Sequence, residues 1–431
     1  MLEASDTRAA FARALSRRGI HYGWAMAALA FVYVLFSSAA MGVPGVLIVP
    51  MSKELGWSIS ELSAPLGLRL ALFGLIAPFA GGLMLRYGPR RMVTWSGALL
   101  MLGLGLGIAT TQKWQLWLGM GFLLGVAPGL TAMQLSTVVA TRWFTARQGL
   151  VLGILNGAVA TGTLMFMPLS AWIAEQWGWR LALAIPALGA GVCWLLFVWL
   201  ARDRPQELNL PLYGEQEPQP WPPLIQTHFI RLTFNALSLA VRNKVFWILS
   251  LSFAICGISS FGLTQAHLVP FCGDLGFSLT TAAWLLTLIG ICDLVGTIGS
   301  GWLSDRYDNR WLLVMYYGLR GIGLIWLVQA DVSMAALTLF AVIYGLDFIA
   351  TVPPTVRLAV QAFGREMGPP IFGWIFSAHH VAAGLMTLGA GVSRDMLGTY
   401  APAFLFAGGM CVIAALSFYV LRSSTPKAAL R

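Results

Sequence analysis

Residues 301–310 read GWLSDRYDNR and residues 81–90 read GGLMLRYGPR, so that five letters recur in place between the two segments. The repeat extends well beyond this element. At the same offset that separates Gly81 from Gly301, the segment 55–58 (LGWS) returns as 275–278 (LGFS). Three glycines also return at this offset, Gly125, Gly153 and Gly178 as Gly345, Gly373 and Gly398. A repeat spread over so much of the chain predicts two structurally related halves.

The composition places both halves in a membrane. Of the 431 residues, 58% are apolar and only 10% are charged, against roughly 25% charged residues in soluble domains. Apolar stretches of about 20 residues, long enough to cross a bilayer as helices, occur twelve times. They span 23–49, 60–85, 92–111, 115–140, 148–175, 180–201, 246–271, 280–303, 311–330, 333–356, 369–393 and 402–421. The sequence therefore predicts an all-α integral membrane protein with 12 transmembrane helices in two pseudo-symmetric six-helix bundles.

Four segments follow from this pattern. They are an N-terminal bundle (1–201), a linker rich in Pro and charge (202–245), a C-terminal bundle (246–421) and a tail (422–431). With six helices each, the halves enter the membrane in the same direction, which predicts a central site between them. The polar N-terminus leads into a span too long for a cleaved signal, so the first helix is expected to stay as an anchor.

The distribution of Lys and Arg sets the orientation. Of 27 such residues, 21 fall in tails and loops on the side of the termini, 4 on the other side and 2 inside helices. Positive residues concentrate on the cytoplasmic side, so both termini are expected there. The net charge of +10 is thereby explained by the membrane, and no nucleic-acid partner is expected.

The decapeptide at 301–310 resembles the G-x-L-x-D-R-x-G-x-R signature of the major facilitator superfamily. The matching residues are Gly301, Asp305, Arg306 and Arg310 in the second half, and Gly81, Arg86 and Arg90 in the first. In that superfamily the loop helps to latch the inner gate. Leu85 stands where the signature has Asp, so the resemblance implies a weaker latch in the first half.

Further motifs resemble the monocarboxylate-transporter branch and its bacterial relatives. They are 22–24 (YGW), 143–150 (WFTARQGL), 178–180 (GWR), 343–355 (IYGLDFIATVPPT), 371–380 (IFGWIFSAHH) and 394–400 (RDMLGTY). The resemblance implies a secondary active transporter, not an enzyme, that moves a small organic anion with a proton by alternating access. It also implies a monomer in the lipid bilayer of a bacterial inner membrane. Two cations of the branch are missing, since Gly42 and Thr297 occupy the positions of its helix-one Lys and helix-eight Arg.

Ionisable residues inside membrane helices are costly, and they are therefore functional candidates by default. Helix rise puts Asp293 and Arg320 at similar depth, about 20 Å from the loop between them, and leaves Asp347 within marginal reach of Arg320. Arg320 is assigned as the structural partner of one of these acids. Two carboxylates sharing one Arg cannot both stay charged cheaply. Asp293, which matches the family acid, is the first candidate for proton coupling, and Asp347 is the second.

The remaining candidates are two histidines, an arginine and Thr297. His379 shares a helix face with Phe372 and Phe376, and is a candidate to line the cavity for substrate or proton. His380 falls on a stripe of small residues and is expected to be packed. Arg69 either stabilises neighbouring helices or supplies the cation missing at Thr297, which itself stays a substrate-binding candidate.

Other classes of function find little support. Gly103, Gly105 and Gly107 mimic a nucleotide loop without the Lys and Ser or Thr that such a loop needs. No cofactor or metal is expected, because the five cysteines lack ligand spacing. A proton-coupled drug exporter is the alternative, although Ala158 replaces the Pro that usually follows Gly153 and Gly157 in such antiporters. A membrane sensor is a further alternative, with no signalling domain to support it.

Overall fold

The computed structural model describes residues 14–217, 229–329 and 333–420. Twelve helices of these ranges cross the membrane, and they are numbered α1 to α12. The first half contains α1 (Tyr22–Val46), α2 and α3 (together Ile59–Ile108), α4 (Lys113–Trp143), α5 (Gln148–Trp177) and α6 (Trp179–Leu200). The second contains α7 (Lys244–Asp274), α8 (Leu279–Ser304), α9 (Asn309–Gln329), α10 (Met334–Gly364), α11 (Met367–Leu397) and α12 (Ala401–Ser417). The predicted twelve-helix architecture is confirmed, while the predicted tail, 422–431, lies outside the described residues.

Helices α2 and α3 meet at Gly88, whose φ of 81° is a left-handed conformation that favours glycine. A Cβ at Gly88 would lie 2.5 Å from the Asp203 carboxyl group, which accepts the Arg90 N–H at 2.8 Å. Asp203 thus caps α3 from the start of the linker.

Asp308 takes the place of Gly88 in the second repeat. Its own Oδ1 accepts the Arg310 N–H at 3.0 Å at the start of α9. A side-chain hydrogen bond from Arg310 lowers the pKa of Asp308 below its ordinary value. The repeated loop therefore caps the following helix in both halves, with a different carboxylate in each.

Each half has its own buried apolar core. Gly121, Gly125 and Gly129 of α4 form a close-packing ridge that lies against the backbone of α2. Between the halves, α2 crosses α11 so closely that a Cβ at Gly67 would lie 2.3 Å from the Gly384 carbonyl oxygen. The halves are thus held together partly by glycine contacts that allow two backbones to meet.

The linker contacts both halves on one side of the membrane, called here the linker face; the other side is the opposite face. Its first part is fixed to the first half, since Tyr213 donates its N–H to the Trp143 carbonyl at 2.9 Å. Its second part contains an amphipathic helix, Phe229–Ala240, that the sequence analysis did not anticipate. Phe234 of this helix packs against Phe79 of α2 and Trp374 of α11, at 5.6 and 5.8 Å between ring centres.

Candidate functional site: the central cavity

A cavity of about 100 Å³ lies between the two halves. Helices α1, α2, α4 and α5 line it from the first half, and α7 and α11 line it from the second. Its polar lining includes Ser37, Arg69, Thr163, Gln265, His380 and Thr387. The rest is mainly apolar, including Phe73 and Phe261. The space admits several waters or a small ligand in their place.

Arg69 is the one Lys or Arg among the described residues that line this cavity. Its side chain is almost fully buried, at 5% exposure, and its Nε and Nη1 find no hydrogen-bond partner in the described part of the chain. Gly125 of α4 packs directly against the Arg69 backbone. No described Asp or Glu lines the cavity. A buried guanidinium without a partner is costly, and an anion in the cavity would satisfy it.

The prediction that His379 lines the cavity and His380 is packed away from it is wrong, because the structure reverses the two positions. His380 lines the cavity, with its ring centre 4.9 Å from that of Phe73 of α2. His379 is turned away from the cavity against Phe253 of α7, at 4.6 Å between ring centres. Their Nδ1 atoms are 3.3 Å apart.

The reversal has a packing cause. The small-residue stripe of α11 packs against α2 in the centre of the molecule, where Ser377 donates to the Gly74 carbonyl at 2.7 Å. His380 follows this stripe and is brought between the halves. The signal was available in the sequence, because Gly67 and Gly74 of α2 lie two helical turns apart and form a matching stripe.

Asp293 of α8 contacts a break in α10. The Asp293 Oδ1 atom accepts from Thr297 Oγ1 at 3.0 Å and from the Ile349 N–H at 2.8 Å. The α-helical geometry of α10 is interrupted between Asp347 and Val352, so Asp293 satisfies a backbone donor that the break exposes. Neither Asp293 nor Thr297 belongs to the cavity lining. Thr297 donates its hydroxyl hydrogen bond to Asp293 instead of to a ligand in the cavity.

Arg320 takes Asp347 as its ionic partner, with Nε 2.8 Å from Oδ2. The guanidinium also donates from Nη1 to Cys256 Sγ at 2.9 Å and from Nη2 to the Phe348 carbonyl at 3.0 Å. This buried cluster joins α9 to α10 and α7 inside the second half. Asp293, which helix rise placed at the same depth as Arg320, accepts instead from Thr297 and the Ile349 N–H.

The signature loops lie at the linker face and make contacts within their own halves. In the first half, Arg142 of α4 donates to the Leu85 carbonyl at 3.1 Å. In the second, Arg357 of α10 forms an ion pair with Asp305 and donates to the Ser304 carbonyl at 3.2 Å. An Arg from the fourth helix of each half thus reaches the same loop position.

The other signature residues surround these contacts. Arg90 Nε donates to the Val198 carbonyl at 3.1 Å, and Arg310 pairs with Asp308. The guanidinium groups of Arg86 and Arg306 lie 5.3 and 4.1 Å from the ring centres of Tyr87 and Trp302. A Cβ at Gly81 would approach Gln134 at 3.2 Å, whereas Gly301 has open space around it.

Two repeated six-helix bundles around a central cavity that contains a buried arginine define a membrane transporter rather than an enzyme. The sequence matches the Major Facilitator Superfamily over residues 29–273 and 265–431, and the chain belongs to that superfamily.

Relatives and solved structures agree with this membership. The chain is 26% identical to monocarboxylate transporter 13 of Bos taurus, across 94% of this chain and 92% of the relative. It is 25% identical to the uncharacterized MFS-type transporter YhjX of Escherichia coli (strain K12), across 76% and 77% of the two chains. The xylose transporter XylE from E. coli, in a partially occluded inward open conformation, superimposes with a TM-score of 0.70 at 14% identity. The superposition covers 94% of this chain and 100% of XylE. The nucleoside transporter NupG gives a TM-score of 0.72 at 13% identity, covering 91% and 99%.

Proposed function

We propose that the protein is a secondary active transporter that moves a small, monocarboxylate-like organic acid together with a proton by alternating access. It would act in a bacterial inner membrane with the linker face and both termini in the cytoplasm, as the excess of Lys and Arg on that side favours. The observation that carries the proposal is the buried guanidinium of Arg69, whose Nε and Nη1 have no hydrogen-bond partner among the described residues, in a cavity between the halves.

The cavity favours an anion with a single charged end. One guanidinium faces a lining in which no described acid is present, so one negative charge is balanced there and a second would be left buried without a partner. Apolar side chains such as Met41, Leu70 and Phe261 suit the uncharged part of such a molecule. The likeness to monocarboxylate transporters agrees with this ligand class.

His380 is proposed as the second polar contact of the substrate. Its Nδ1 lies 3.2 Å from the Phe376 carbonyl, which a protonated Nδ1 would satisfy. In that tautomer the Nε2 lone pair is left to accept a hydrogen bond or a proton. Arg69 from the first half and His380 from the second would then hold one ligand between the two halves.

Asp293 is proposed as the proton carrier, with Asp347 as the second candidate. The carboxylate of Asp347 is fixed by Arg320, whereas the donors to Asp293 among the described residues are neutral, Thr297 and the Ile349 N–H. Protonation of Asp293 would remove the charge that holds the break in α10.

The break in α10 is connected to the cavity by aromatic packing. Phe348, next to Ile349, packs against Phe261 at 5.7 Å between ring centres, and Phe261 packs against His380 at 5.5 Å. A change at Asp293 can therefore reach the substrate through three contacts. Proton and substrate would each favour binding of the other by the same factor, as linkage requires.

Two measurements test the proposal. A thermal-shift screen of purified protein against monocarboxylates, dicarboxylates and neutral analogues, at two pH values, should show stabilisation by monocarboxylates alone, because a ligand stabilises the state that binds it. Proteoliposomes with an imposed pH gradient should then accumulate that ligand. Equal uptake with the gradient collapsed would remove proton coupling, and stabilisation by neutral analogues alone would remove the anion.

A further inference from the structure

At the opposite face, two carboxylates each cap the first turn of a helix in the other half. Asp395, at the end of α11, accepts the N–H groups of Ile59 and Ser60 at the start of α2, at 3.1 and 2.7 Å. Glu175, at the end of α5, accepts the Thr280 N–H at 3.1 Å and its Oγ1–H at 2.5 Å at the start of α8.

The two caps are equivalent in the repeat. Glu175 and Asp395 occupy matching positions of the two halves, and so do Ser60 and Thr280. The sequence repeat by itself does not reveal these contacts, because it matches Glu175 with Asp395 and Ser60 with Thr280. The hydrogen bonds instead join each carboxylate to a helix of the other half. One twofold-related contact thus occurs twice, once on each side of the central cavity.

Each cap completes the start of its helix. In α2, Ser58 Oγ accepts the Glu61 N–H at 3.2 Å and Glu61 accepts the Ser58 N–H at 3.1 Å. The Ile59 and Ser60 N–H groups in between are left to Asp395. A negative charge at this position also interacts favourably with the helix dipole. Loss of contact between the halves would expose these donors to water without a carboxylate.

The apolar packing around the caps also crosses between the halves. Ile59 and Leu279, which are equivalent positions of the repeat, each contact the apolar cores of both halves. A Cβ at Gly391, one turn before Asp395, would lie 2.8 Å from Ser63 Oγ of α2. By contrast, a Cβ at Gly153 of α5 or at Gly299 of α8, near the linker face, would have no neighbour within 4 Å among the described residues.

We infer that Glu175 and Asp395 form a paired gate that holds the opposite face closed in this conformation and must be released before the cavity opens there. The inference rests on the alternating access of the proposed function but not on its substrate or proton. Both caps break in a single rocking motion, because they lie on either side of the axis that relates the halves. The described donors to the two carboxylates are three backbone N–H groups and the Thr280 hydroxyl, with no Lys or Arg among them.

The test measures how often the opposite face opens. Thr163→Cys places a thiol in the cavity lining, and a membrane-impermeant maleimide is added to the opposite face of oriented vesicles without substrate. The labelling rate follows the open population, and the parent without Thr163→Cys gives the background. Removing one helix cap shifts an equilibrium by about five-fold, so Glu175→Ala or Asp395→Ala, which leave no side-chain acceptor, should raise the rate about five-fold. The double variant should raise it about 25-fold if the caps act independently.

A matched control uses carboxylates of the same face that pair within one half. Glu54 pairs with Arg180 in the first half, and Asp274, its equivalent in the repeat, pairs with Arg394 in the second. Glu54→Ala with Asp274→Ala should leave the rate unchanged. Thr280→Val removes only a hydroxyl donor to Glu175 and serves if a carboxylate variant fails to fold. It should raise the rate in wild type but not beside Glu175→Ala, where the acceptor is already absent. Rates equal to wild type in the folded double variant, or in Thr280→Val, would overturn the gate whatever the substrate proves to be.

Discussion

Arg320 and Asp347 form a buried ion pair, with Nε 2.8 Å from Oδ2, whereas the equally buried Arg69 has no carboxylate partner among the described residues. The first arginine is satisfied by its own half of the protein and stabilises it. The second faces a cavity that both halves share. Substitutions around Arg320 should therefore change stability, and substitutions around Arg69 should change binding.

Arg69→Gln should weaken binding of the organic acid roughly 30-fold or more, because truncating one partner of a buried charge pair costs about 2 to 5 kcal/mol. Arg69→Lys should retain part of the affinity, since the charge remains while the planar fork is lost. Calorimetric titration of purified protein measures both. Arg180→Gln, at an exposed pair with Glu54, is the matched control and should bind as wild type. Wild-type affinity in folded Arg69→Gln would make Arg69 structural.

His380→Gln should weaken substrate binding by about ten-fold, the amount expected for one hydrogen bond to a charged group. His379→Gln is the matched control on the neighbouring residue. It should leave the dissociation constant within about two-fold, because His379 faces Phe253 rather than the cavity. If His379→Gln weakened binding more than His380→Gln, the assignment of the cavity face of α11 would be wrong.

Asp293→Asn should leave binding largely intact and abolish accumulation driven by a pH gradient. The amide keeps an oxygen for the Ile349 N–H and resembles the protonated acid, but it cannot release a proton. Exchange of labelled for unlabelled substrate in proteoliposomes should survive. Accumulation by Asp293→Asn at the wild-type level would move the coupling group elsewhere, and Asp347→Asn would then be measured in the same assay.

Asp347→Asn should destabilise the protein by about 3 to 5 kcal/mol, because it leaves the Arg320 guanidinium buried beside a neutral group. Thermal unfolding in detergent should show a clear drop in Tm. Glu54→Gln breaks a pair whose side chains are about one-third to one-half exposed, and it should cost no more than about 1 kcal/mol. A Tm change in Asp347→Asn no larger than that of Glu54→Gln would show that Arg320 finds another partner.

The fold could be predicted from the sequence because its signals are local. Membrane helices are recognised by their length and apolarity, and the repeat that matches Gly81 with Gly301 relates the halves without any knowledge of contacts. The Phe229–Ala240 helix was missed because it is short and lies in a linker rich in charge and proline. The role of its apolar face is visible only in the structure, where Phe234 packs against Phe79 and Trp374.

The sequence by itself determined the twelve helices, their division into two halves and the short set of buried ionisable residues, since apolarity and the cost of charge in a bilayer act along each helix separately. Only the tertiary structure decided the use of each residue. It turned His380 rather than His379 to the cavity, paired Arg320 with Asp347 and left Arg69 unpartnered among the described residues. It also joined Glu175 and Asp395 to helices of the other half. These choices depend on helix rotation and on the break in α10, which are set by packing between residues distant in the chain.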